Sequence, residues 1–81
     1  MEKIPDEIKV KIIGKVLGMF YVRSLEKQNP NITIPEFKYI ITRYSLKKKQ
    51  WFILAKELEK DGIVKLHGGN PIEILRSNIK N

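Results

Sequence analysis

Three consecutive lysines, Lys47, Lys48 and Lys49, are the densest charge cluster in this sequence, and Lys56 and Lys60 follow at helical spacing. An ammonium group is a compact point charge with three donors. It suits phosphate contact better than bidentate reading of a base. The only arginines are Arg23, Arg43 and Arg76. The whole chain carries a net charge of +7 and a pI near 9.8. A balance this basic favours polyanionic partners, namely DNA, RNA or an anionic membrane surface. Two readings of the lysine run compete. A Lys/Ile-rich composition raises charge without any ligand, and a charge run is usually a solvated face. Against that, cations at a helix start oppose the macrodipole at a cost of about a few tenths of a kcal/mol, which points to an offsetting use.

Other chemistry is thin. His67 is the only histidine and there is no cysteine, so an ordinary structural zinc site cannot be built. Ser24, Ser45 and Ser77 lack a visible base, and the acids are scattered among lysines at salt-bridge spacing. There is no P-loop and no GxGxxG. The expectation is no enzyme, no metal and no cofactor. The lack of cysteine makes a reducing cytoplasm the simplest setting. The longest apolar run, residues 16–22, is interrupted by Gly18 and falls far short of the roughly 20 residues that a membrane span needs.

The elements that must position the lysines can be read in order, within one domain covering residues 1–81. Residues 1–4 are expected to fray. Pro5 with Asp6 and Glu7 opens a helix over about 6–27. Ile8, Ile12, Ile13, Val16, Leu17, Met19 and Phe20 form its broad apolar face, opposite Lys11 and Lys15. Beyond Val16, Tyr21, Val22 and Leu25 fill the remaining arc. A helix apolar on every side calls for burial on every side, which in a chain this short implies a homodimer through Val16, Phe20, Tyr21 and Leu25. Gly14 and Gly18, four apart, would let a second backbone approach; two merely tolerated glycines is the plainer reading.

Residues 28–31 (QNPN) form a turn. Ile32, Thr33 and Ile34 suit a brief strand, and Thr33 also suits the N-cap of a second helix over about 34–42. Glu36 then completes a capping box, Ile32 and Phe37 form a hydrophobic staple, and Pro35 falls harmlessly in the first turn. Phe37, Ile40 and Ile41 face inward; Lys38 and Arg43 are left for solvent or phosphate. After a tight turn Ser45 caps a third helix over about 46–60, which stops at Gly62 in the left-handed position. A hairpin over about 63–75 follows, with residues 68–71 (GGNP) as its turn.

On a wheel, Trp51, Leu54, Ala55 and Leu58 form the core face of the third helix. Ser45, Lys49, Phe52, Ile53, Lys56 and Lys60 lie opposite. Lys48 and Gln50 sit at the edges, and Lys47 points toward the core. Phe52 and Ile53 on an outward face have three explanations. They pack under helix one or the hairpin, they touch thymine methyls, or the face binds protein.

The order is helix, brief strand, helix, tight turn, helix, hairpin: mainly α with a small two-stranded wing. The stretches ITIPEF, YSL and AKELEKDGIVKL, over residues 6–76, resemble the winged helix-turn-helix superfamily. The Lys/Ile-rich character is similar to that of proteins from thermophilic archaea or their mobile elements. The resemblance implies a small regulator of transcription that binds double-stranded DNA, with the third helix in the major groove, in a cytoplasmic, nucleoid-associated setting. It implies contacts from Arg43, Ser45, Lys47, Lys48, Lys49, Phe52 and Lys56, and from Lys65, His67, Asn70 and Arg76 around the wing. The alternative is a protein-interaction module of the same fold.

Overall fold

A computed structural model describes residues 3–68 and 72–75. Three α-helices, α1 (Asp6–Leu25), α2 (Ile34–Thr42) and α3 (Trp51–Lys60), are followed by a two-stranded antiparallel sheet, β1 (Val64–Lys65) and β2 (Glu73–Ile74). Val64 pairs with Ile74 and Lys65 with Glu73. Ile32 adds an isolated antiparallel bridge to Ile72, each N–H donating to the other's carbonyl. The brief strand read from residues 32–34 is therefore one bridging residue, placed before α2 and joined to the far side of the hairpin.

Every element contributes to one core. Ile12, Val16 and Phe20 come from α1, Phe37, Ile40 and Ile41 from α2, and Leu54, Ala55 and Leu58 from α3. The bridge and sheet add Ile32, Val64, Ile72 and Ile74. Val64 and Ile74 are register partners on the same face, so the sheet buries one side and leaves Lys65 outside. Ile4 belongs to this core at 2 % exposure, which corrects the expectation that it frays; residues 1 and 2 lie outside the described residues. An isoleucine that reaches a core has more to gain from burial than from a loose terminus.

The local signals around α2 act as their types require. The Thr33 hydroxyl accepts from the Glu36 N–H, and the Glu36 carboxylate accepts from the Thr33 N–H at 3.0 Å. The staple residues Ile32 and Phe37 are both buried. Arg23 of α1 reaches the same carboxylate at 2.7 Å and also donates to the Asn31 carbonyl. Asn31 in turn accepts the Ile74 N–H on its side chain. One arginine thereby ties α1, the bridge and α2 together. Lys9 makes the equivalent tie at the other end, pairing with Asp61 at 2.9 Å and Glu57 at 3.5 Å beyond and within α3.

The Arg23 guanidinium, and then the Thr33 N–H, hold the Glu36 carboxyl below its ordinary value. On acidification the unfolded chain takes up that proton first, near about pH 4.3, while the folded chain resists it. The contribution of this pair is thus present at neutral pH and is lost as pH falls through the depressed folded-state value. The stability advantage of wild type over Glu36→Gln, which keeps the capping acceptor but not the charge, should narrow steadily between neutral and strongly acidic pH. Urea midpoints of the two proteins at each pH measure it.

The helix ends explain where the sequence reading slipped. α1 stops at Leu25 rather than near 27, because Lys27 turns left-handed at φ 59°. The Gln28 N–H then reaches back to the Arg23 carbonyl at 2.7 Å and the Lys27 N–H to Ser24. Ser45 does the same after α2, at φ 69°, with the Leu46 N–H on the Ile41 carbonyl and the Ser45 N–H on Thr42. This double closure is the Schellman motif, and the buried Leu46 supplies the apolar residue that follows it. Ser45 therefore ends α2 and does not cap the third helix. That helix begins later than expected, with a 3-10 turn over Lys48–Gln50 leading into α3. Gly62 behaves as read, at φ 80°, closing α3 through the Ile63 N–H on Leu58.

A left-handed residue other than glycine costs about 1–2 kcal/mol. Ser45→Gly should therefore stabilise the protein by about 1 kcal/mol, worth roughly 4–8 °C in Tm for a domain of this size, with Ser45→Ala close to wild type. A capping serine would give the reverse order, with alanine the worst and glycine slightly below serine. Thermal melts of the three proteins separate the cases.

Candidate nucleic-acid interface

α3 receives its orientation from its inner face, where Leu54, Ala55 and Leu58 are fully buried. That burial leaves Lys49, Phe52, Ile53, Lys56 and Lys60 exposed, as the wheel requires. Lys47 is also exposed, against the expectation that it points inward. The wheel assumed a helix already running at residue 46, whereas Lys47 lies before the first turn in extended backbone (φ −82°, ψ 148°). Gln50 takes the inward place. It is 8 % exposed, and its side-chain oxygen accepts the Lys47 N–H at 2.8 Å. Gln50 is thus occupied in shaping the turn from which the three lysines project. Among the described residues Lys47, Lys48 and Lys49 have no ion pair.

No acidic residue interrupts the sequence around this turn. Residues 37–56 contain no Asp or Glu, and Lys38, Arg43, Lys47, Lys48, Lys49 and Lys56 all fall within them. The stretch covers most of α2, the turn and the first half of α3.

At the start of α3 an aromatic pair holds two of these lysines. The rings of Trp51 and Phe52 meet edge to face, 5.4 Å between centroids at 76°. Lys38 of α2 lies over the Trp51 ring at 5.7 Å, and Lys56 over Phe52 at 5.9 Å. At about 6 Å a ring's quadrupole still attracts an ammonium group. Beside this pair a hollow of about 290 Å³ is lined by Ile34, Trp51, Phe52, Leu66 and Gly68, where the start of α2, the start of α3 and the hairpin converge. Phe52 lines the hollow and is still 51 % exposed, while Ile53 is 41 % exposed. Packing under the hairpin therefore covers Phe52 on one side only. Contact with thymine methyls or with a protein remains for the outward sides.

Glu59 links α3 to the hairpin. Its carboxylate accepts the Leu66 N–H at 3.1 Å and also meets Lys56 at 3.3 Å. The Leu66 N–H, more than Lys56, holds the pKa of this carboxyl below its ordinary value. β1 is shorter than the expected 63–67, ending at Lys65. The ladder is continued on the other side by the Leu75 N–H on Ile63.

The remaining expected contact residues are scattered. Lys65 is exposed on the outer face of β1. His67 is exposed but engaged, with its Nε2 2.8 Å from the Glu73 carboxylate. Arg43 is directed elsewhere: it stacks on Tyr39 at 5.8 Å and bonds the Tyr39 hydroxyl at 3.1 Å. It lines a groove of about 680 Å³ between α1 and α2 with Lys15, Met19 and Tyr44, apart from the hollow beside α3. Ser45 is exposed in the turn that ends α2. Asn70 and Arg76 lie outside the described residues. Trp51, by contrast, joins the site without having been assigned to it, and so does Lys38, which the sequence left for solvent or phosphate. Trp51 reads as a core residue on the wheel and is half-buried, and Lys38 reaches it only because α2 and α3 pack together. The regular spacing of Lys38 on the polar side of α2 was the one available signal.

Among the described residues no helix is long and apolar enough to cross a membrane. Comparison of the chain with family models, with curated proteins and with solved structures returns no match.

Proposed function

We propose that this chain is a winged-helix module that binds double-stranded DNA and serves as a small regulator of transcription, with α3 in the major groove. The observation that carries the reading is the acid-free stretch 37–56, whose exposed lysines surround the outer start of α3 beside a hairpin. The element order supports it, as does the bridge from the segment before α2 to the far strand of the hairpin. Lys48, Lys49 and Lys56 contact phosphates or base edges, and Lys38 and Lys65 add backbone contacts. Phe52 meets thymine methyls. Such a protein resides with the nucleoid in the cytoplasm.

The test is a fluorescence-anisotropy titration of a labelled random-sequence duplex, with a single strand of the same length as competitor. Tight binding at low salt that is lost steeply as salt rises is the expected result, with a log–log slope of roughly −0.9 for each phosphate contacted. No retention at the lowest salt removes the reading.

A second reading has one observation in its favour. Phe52 and Ile53 are large, apolar and substantially exposed on the same face. A winged-helix module that docks onto another protein through these residues would ignore duplex DNA and bind a cellular protein, with Phe52→Ala weakening that contact.

A further inference from the structure

α1 has a second apolar side. Val16 and Phe20, expected to face a partner chain, are buried in the chain's own core at 1 % and 8 % exposure, so they cannot form an interface. Yet Val10, Tyr21, Val22 and Leu25 on the same helix are 50–82 % exposed. At 100° per residue Val10, Tyr21, Gly14, Leu25 and Gly18 fall within an arc of about 80°, with Glu7 of the first turn the one charged residue inside it. Lys11, Lys15 and Glu26 follow along one margin of that arc, with Val22 among them. A Cβ built on Gly14 or Gly18 meets nothing within 4 Å among the described residues, so the face is open at both glycines. Along Gly14, Gly18 and Val22 runs a shallow groove of about 500 Å³.

We propose that this face is the contact between two copies of the chain, their α1 helices packed antiparallel about a twofold axis. The residues are complementary to themselves in that direction. A register with Gly14 opposite the partner's Tyr21 also puts Val10 opposite the partner's Leu25. The tyrosine ring then enters the space that glycine leaves open, and aliphatic residues close both ends. On the margin, Lys11 lies about 3 Å along the axis from the partner's Glu26, by the helical rise. The twofold repeats every one of these pairs. Parallel packing would instead place Gly14 against Gly14 and Tyr21 against Tyr21, so that no ring fills the space the glycines leave open. The arrangement does not depend on DNA binding, so either can fail alone. The two also respond oppositely to salt. Screening weakens phosphate contacts but relieves repulsion between two cationic copies.

Sedimentation equilibrium in high salt, from low-micromolar to submillimolar concentration, tests the proposal. Wild type is expected to dimerise. Gly14→Leu is expected to remain folded, because the space around Gly14 is open, and to be monomeric. Leu25→Glu should also be monomeric, with an unchanged circular dichroism spectrum. The chain has no native cysteine, so Gly14→Cys mixed with Tyr21→Cys should give cross-linked heterodimers in preference to either homodimer. A wild type that is monomeric at every concentration overturns the proposal and leaves the face to a different protein. So does a Gly14→Leu protein that dimerises like wild type. Preferential Gly14→Cys self-crosslinking overturns the antiparallel register.

Discussion

Replacing Lys48 and Lys49 together by alanine is expected to weaken duplex binding by roughly 60-fold at 0.1 M salt and to flatten the log–log salt slope by about 1.8. Both figures follow from two phosphate contacts, each releasing one condensed counterion. The structure suits this pair for the test. Both side chains are exposed on the 3-10 turn before α3, and neither has an ion pair among the described residues. Removing them therefore breaks no internal contact. It should even relieve the small dipole penalty of cations at a helix start. Loss of binding with an unchanged or slightly raised Tm separates a lost contact from a lost fold. Lys60→Ala, near the other end of α3, serves as the control and should change the slope little. A double variant that binds as tightly as wild type, with the same slope, would move the contacts off this turn.

The largest stability effect is expected at Phe37. Its side chain is 2 % exposed and belongs to the buried cluster shared by all three helices and the sheet. Phenylalanine to alanine at such a site costs about 3–5 kcal/mol, through lost transfer energy and the cavity left behind. An 81-residue domain has only about 4–12 kcal/mol in total, at 0.05–0.15 per residue. Phe37→Ala is thus expected to remove at least about a quarter of the protein's stability, and all of it at the lower end of that range. Phe37→Leu, which keeps most of the volume, should lose far less. Urea unfolding followed by circular dichroism gives both values. Phe37 also closes the hydrophobic staple with Ile32, so the loss reaches the point where the bridge to Ile72 begins. A change of less than about 1 kcal/mol in Phe37→Ala would mean that the α2 core is not packed as described.

The sequence by itself determined the parts that depend on neighbours in the chain. Thr33, Pro35 and Glu36 specify the start of α2, and Gly62 specifies the end of α3, because capping and the left-handed turn involve residues within four positions of one another. The inward faces of α2 and α3 were legible because apolar residues at helical spacing have one good place to go. The cationic character of the third helix was legible too, since charge is read directly from residue type. Tertiary structure alone decided the rest. Ser45 carries every local mark of an N-cap, yet it closes the preceding helix, because Leu46 is buried and brings its N–H to Ile41. That shift delays the third helix, turns Lys47 outward and Gln50 inward. Lys38 and Trp51 stand thirteen residues apart and meet only through the packing of α2 on α3. On α1, Val16, Phe20, Tyr21 and Leu25 are all apolar, and the wheel alone could not say which side the core would claim. The core claimed Val16 and Phe20 and left Tyr21 and Leu25 exposed. Burial is a competition among all apolar surfaces at once, and its outcome is settled only when every element is in place.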